Sequence, residues 1–234
     1  MVRHPTARRT QRQAAPPDDV FVESVLESSV WAKQNVRLLT IAITVVLVLV
    51  AGFLYYRNYR SRLRDVAETQ LTQIRTTLLA GNAALAISDL DSFLSRFGST
   101  PTAVEARVLL ARAHLENQEP QKAIDVISSQ ARDLQAPLGV QSAMLLADAY
   151  EAAVQEDRAV EVLLRVGTDA PFDYQRRLAL ETAARIRFEQ GNAQAAVDLY
   201  DRILTDLPIE SPERPVYQLR RAEAAAKLST GSGG

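Results

Sequence analysis

The sequence predicts an all-α protein: a single transmembrane helix followed by an α-solenoid of about four helix pairs. Three observations predict it. An uncharged run, LLTIAITVVLVLVAGFLYY at 38–56, lies between Arg37 and Arg57. Behind it a short phrase returns: GNAALAI at 81–87 is echoed by GNAQAAV at 191–197. The composition is heavy in alanine and arginine, both good helix formers.

Bulk properties narrow the function classes. The chain has 234 residues, room for one or two domains of roughly 150 residues each. Its net charge of −1 argues neither for nucleic acid nor for an acidic substrate. It contains no cysteine, which excludes disulfides, thiolate catalysis and cysteine-based metal sites.

Residues 1–17, MVRHPTARRTQRQAAPP, form a basic, polar tail that is expected to be disordered. Over 18–35, Asp18 or Asp19 is placed to cap a helix, and Val22, Val25, Leu26 and Val30 follow at helical spacing. This segment reads either as a short amphipathic helix on the membrane surface or as the start of the membrane helix.

The membrane helix is assigned to 36–57. A nineteen-residue uncharged run at about 1.5 Å per residue spans roughly 28 Å, about one hydrocarbon core. Thr40 and Thr44 cost little there, because their hydroxyls can return to the helix backbone. Trp31 precedes the run, and Tyr55, Tyr56 and Tyr59 close it, as interfacial aromatics do. The late start and the basic YYRNYRSRLR that follows, with no small-residue cleavage site, argue against a signal peptide. Neither Pro nor Gly interrupts 57–80, so the anchor is expected to run unbroken into the first repeat helix.

The repeats occupy 58–228. Aligning GNAALAI, QEPQKAI, VQEDRAV and GNAQAAV on their last alanine gives Ala86, Ala123, Ala159 and Ala196, spaced 37, 36 and 37 apart. Upstream of each, apolar residues recur at three and four, as in Leu71, Ile74 and Leu78. Downstream, Pro101, Pro137, Pro171 and Pro208 mark the junctions. Each unit is therefore helix, tight turn, helix and a proline-marked loop. The aligned alanine belongs where the two helices cross closely. Gly81 and Gly191 belong where the first helix stops, a position that favours a left-handed residue. Residues 212–228 are read as a capping helix and 229–234 as a flexible tail.

This pattern resembles the tetratricopeptide repeat. The last unit carries it through Ala184, Phe188, Gly191, Ala196, Tyr200 and Pro208. The third carries it through Ala147, Tyr150, Ala159 and Pro171; the first has Ile74 where a small residue is expected. The whole layout, with an inner tail, one anchor, a basic collar and such repeats, resembles the ancillary subunit of the bacterial Sec translocon. That resemblance implies a single-pass protein of the bacterial inner (cytoplasmic) membrane, with a cytoplasmic amino terminus and a periplasmic repeat domain. It also implies chaperones and newly exported chains as partners. The flanking charges alone pull mildly the other way, since Arg57, Arg60, Arg62 and Arg64 make the carboxyl side the more basic.

The sequence offers no chemistry of its own. His4 lies in the tail and His114 among apolar neighbours, so no metal centre is expected. No glycine-rich phosphate loop occurs, and pairs such as Asp89/Asp91 or Glu156/Asp157 suit a solvated helix. The expectation is no enzyme, no cofactor, no nucleic acid and no small-molecule substrate. Partners are the lipid bilayer and other proteins. Candidate protein contacts are Arg75, Arg107, Arg112, Tyr150, Arg185 and Phe188, with His114 nearby, on the face built from the first helix of each pair. A scaffold holding exported polypeptides is one reading. A fixed structural accessory subunit of a large respiratory or photosynthetic membrane complex, stabilising its assembly, is the alternative.

Overall fold

The structure, a computed structural model, describes residues 35–231. The expected tail at 1–17, the segment at 18–34 with Trp31, and the last three residues lie outside them. The described residues contain nine α-helices. They are α1 (Val36–Leu79), α2 (Ala83–Phe97), α3 (Thr102–Glu116), α4 (Pro120–Ile127), α5 (Gly139–Ala152), α6 (Glu156–Asp169), α7 (Asp173–Glu189), α8 (Ala193–Asp206) and α9 (Arg214–Gly231).

Helix α1 is a single helix of 44 residues, with no break at Arg60–Asp65. The hydroxyls of Thr40 and Thr44 donate to the carbonyls of Val36 and Thr40, each at 2.7 Å, which keeps them satisfied without water. Its most apolar 18-residue window has a mean hydropathy of 2.7 and none of it is buried in the protein, so the helix is long and apolar enough to cross a membrane.

The repeats form their own compact unit from Ser61 onward. Four helix pairs stack in order: the end of α1 with α2, then α3 with α4, α5 with α6, and α7 with α8. In each pair the first member is the A helix and the second the B helix. All four A helices stop the same way. A residue with positive φ follows each: Gly81 (80°), Gln118 (61°), Val154 (58°) and Gly191 (81°). Its amide returns to the carbonyl three residues back, at 2.8 to 3.0 Å. The next amide returns five back, from Asn82, Glu119, Gln155 and Asn192 to Thr77, His114, Tyr150 and Arg187. This paired closure satisfies carbonyls that the helix end would otherwise orphan. The two glycines expected at this position are there; the other two turns force a glutamine and a valine into the same conformation.

The aligned alanines Ala86, Ala123, Ala159 and Ala196 are all 0 % exposed. Their A-helix counterparts Ala111, Ala147 and Ala184 are buried too, and Ile74 is buried in the first repeat. Three apolar clusters follow one another along the stack. The first joins Leu71, Ile74 and Leu78 to Leu90, Phe93 and Phe97, with the two phenylalanine rings 4.9 Å apart. The second centres on Ile127, Leu163 and Val166, and the third on Leu180, Tyr200, Ile203 and Tyr217 of α9.

One repeat departs from the expected form. Its B helix, α4, ends at Ile127 and passes into a 3-10 turn at Gln130–Arg132. Side chains hold that turn: Gln130 donates to the Val104 carbonyl at 3.1 Å and to Ser142 Oγ at 2.8 Å. Helix α9 packs on α8 as expected of a cap, and it continues to Gly231, past the expected boundary at 228.

Candidate protein-binding face

The residue eleven places before each aligned alanine falls at one position of every A helix: Arg75, Arg112, Asp148 and Arg185. Charged pairs along this face tie neighbouring helices together at three of the steps. Arg75 of α1 pairs with Glu105 of α3. Arg185 of α7 grips both carboxylate oxygens of Glu151 on α5, at 2.9 and 2.8 Å, and reaches Glu189 at 2.9 Å. Arg220 of α9 meets Glu181 of α7 at 3.2 Å, and the Tyr217 hydroxyl donates to the same carboxylate at 3.1 Å. Between α3 and α5 the link is electrostatic. Asp148 is exposed as a residue, yet desolvation by the surrounding protein raises its pKa, and Glu151 raises it further; Arg185 and Arg112 pull it back. Burial, then the charge of Glu181, pushes the Tyr217 phenol up to about 12.

At the carboxyl end of this face a groove of about 430 Å³ opens between α7 and α9. Phe188, Val216 and Leu219 give it apolar walls, Tyr200 its floor, and Arg185 and Arg220 its polar rim. Val216 and Leu219 are 52 % and 61 % exposed. The Lys227 ammonium sits 4.3 Å from the centroid of the Phe188 ring, a cation–π contact. Both rim arginines are already matched by internal carboxylates. The groove therefore offers apolar contact and hydrogen-bonding edges rather than free positive charge. It carries neither a nucleophile–base pair nor a phosphate cradle, and no cluster of three metal-ligating side chains occurs among the described residues.

The sequence-expected contacts do not all converge. Arg185 and Phe188 share the groove. Arg75 is paired in the first repeat, Arg112 is exposed on α3, and Arg107 is half-buried on the same helix. Tyr150 faces elsewhere: the Arg158 guanidinium lies 5.8 Å from its ring, and both line a separate cavity of about 340 Å³ with Arg132, Leu146 and Arg165. His114 is buried at the A–B turn, where its Nδ1 meets Glu119 at 2.8 Å. An ionised carboxylate only accepts, so the imidazole donates. Hydrogen bonds from Lys122 and then His114 hold the Glu119 carboxyl down at about 2. Sequence reading missed Val216, Leu219 and Arg220, because α9 has no second copy to align with. It also missed Asp148 and Glu151. The repeat period could have found Asp148, since it takes the place held by arginine in the other three units.

A tetratricopeptide repeat-like domain family matches residues 30–223. The chain belongs to this family. Among solved structures it is similar to the nearly identical TPR-like repeats of a protein from Podosopora anserina described as a kinesin light chain. A single-substitution variant of those repeats matches at 26 % identity and a TM-score of 0.55, covering 73 % of this chain and 88 % of that one. The parent structure matches at 24 % identity and the same TM-score, covering 73 % and 89 %. No curated protein matches. The repeat-like fold is that of a protein-interaction scaffold, and no enzyme family is indicated.

Proposed function

We propose that this chain is a membrane-anchored scaffold whose A-helix face holds other polypeptides at the outer, periplasmic face of a bacterial inner membrane, in a chaperone-like or translocon-associated role. The observation that carries the binding part is the groove between α7 and α9. Exposed Val216 and Leu219 stand there beside Phe188, while the neighbouring arginines are neutralised from within. Such a surface favours an apolar stretch of a partner over an acidic tail, because an acidic tail would have to break an existing pair. Helix α1 supports the anchor. The outer face is supported by the resemblance in layout to the translocon's ancillary subunit.

The test is gentle detergent extraction of the tagged full chain, purification, and mass spectrometry of what remains bound. The expected result is exported polypeptides and translocation components in sub-stoichiometric amounts, lost from Leu219→Asp. One set of membrane subunits at fixed ratio, surviving high salt and indifferent to Leu219→Asp, would replace this reading with the structural-subunit one.

A further inference from the structure

Where the apolar run of α1 ends, the helix changes character within one turn. Tyr55, Tyr56 and Tyr59 are exposed; Arg57 lies among them and Arg60 directly follows Tyr59, the two arginines three residues apart and so on one helical face. The Arg60 guanidinium lies over the Tyr56 ring, 5.1 Å from its centroid. Arg62 and Arg64 follow on the same helix. The sequence supplies no carboxylate to balance them on the membrane side, for no Asp or Glu occurs from Ser28 to Arg64. Among the described residues no ion pair engages any of the four, whereas seven other arginines are paired within the repeats.

We infer that this collar binds the headgroups of anionic phospholipids. The inference rests on the membrane-spanning reading of α1 and adds a lipid preference to it. A guanidinium forms two parallel hydrogen bonds to a phosphate, and it does so best where water is thin and no carboxylate competes. A zwitterionic headgroup carries its own cation and satisfies its phosphate in part. A glycerol headgroup leaves the phosphate bare. The tyrosines fix the depth: amphipathic rings settle at the headgroup level and so hold Arg57 and Arg60 among the phosphates. The cation–π contact orders Arg60 before lipid arrives, which lowers the entropy cost of capture.

The full chain is reconstituted into vesicles of equal parts phosphatidylcholine and phosphatidylglycerol. Flotation first establishes insertion. Native mass spectrometry of the re-extracted protein then reads the ratio of the two lipids retained. The expected result is an enrichment of phosphatidylglycerol of about fivefold or more, since each basic residue near an anionic surface contributes about that factor. Arg57→Gln/Arg60→Gln/Arg62→Gln/Arg64→Gln floats equally well but retains the lipids at their mixing ratio. Arg8→Gln/Arg9→Gln/Arg12→Gln, in the amino-terminal tail, keeps the enrichment. An inserted wild-type chain without enrichment overturns the inference and leaves the anchor standing. So does enrichment that survives the collar change, or that follows the tail change instead. A chain that does not float with the vesicles overturns the inference and the anchor together.

Discussion

Val154 holds a β-branched, exposed side chain at φ 58°, in a conformation that glycine adopts freely and valine resists. The turn imposes it: the Val154 amide must reach the Glu151 carbonyl, and the Gln155 amide the Tyr150 carbonyl. Val154→Gly should therefore stabilise the repeats by about 1 kcal/mol, the relief of strain less the added entropy of the unfolded chain. Urea unfolding should show a higher midpoint at unchanged slope. The reverse change, Gly191→Val, should cost a similar amount. Glu119 makes a pH prediction at the same scale. Its folded pKa of about 2 lies below the usual 4.5, so the unfolded chain binds the proton more readily. The stability it contributes is complete above about 4.5 and is lost as pH falls toward 2. Glu119→Gln should flatten that part of the stability–pH curve and leave the rest in place.

The helix pairs were legible in the sequence because each repeat states its own pattern four times over. Aligned alanines, glycines at two of the turns and prolines at the junctions carry one message: the alanines are buried in the packing, while the exposed glycines and prolines mark where helices end. The alanines were the sharpest signal. Ala159 is fully buried where α6 crosses α5, so Ala159→Leu should push the two axes apart and cost about 3 kcal/mol. Thermal unfolding with unchanged helix content in the folded state would show it. Contacts between repeats were less legible, because the sequence marks the donor but not the partner it reaches. Arg165 of α6 donates to the Ala131 carbonyl at 2.8 Å, and Arg202 of α8 to the Gly167 carbonyl at 3.1 Å. Both arginines stand six places after the aligned alanine, yet nothing in the sequence says which carbonyl they reach. The candidate face was hidden for the same reason. Arg185 reads as an anchor for a partner until Glu151, 34 residues away, is seen to hold it.

At the scale of the molecule the repeats behave as a line of neighbours. Each apolar cluster draws on adjacent helices, and α9 closes the last one by burying Tyr217 and Ala224 against Leu180, Val197 and Leu204. Polar contacts add to the seal. Arg214 donates to the carbonyls of Leu204 and Leu207 at 2.9 Å each, and Arg221 pairs with Asp201. In such a stack, stability is roughly a sum of units and nearest-neighbour interfaces. A chain ending at residue 212, after α8 and before α9, should lose the last interface and keep the others. Hydrogen exchange should then speed up by orders of magnitude at Tyr200 and Ile203, while Ile127 and Leu163 stay protected. Uniform acceleration along the whole chain would show instead that the repeats unfold as one unit, and that α9 stabilises all of them at once. The groove lies on this same seam, between α7 and α9. Loss of protection confined to repeat four would therefore mean that the end carrying the groove depends on α9 alone for its stability.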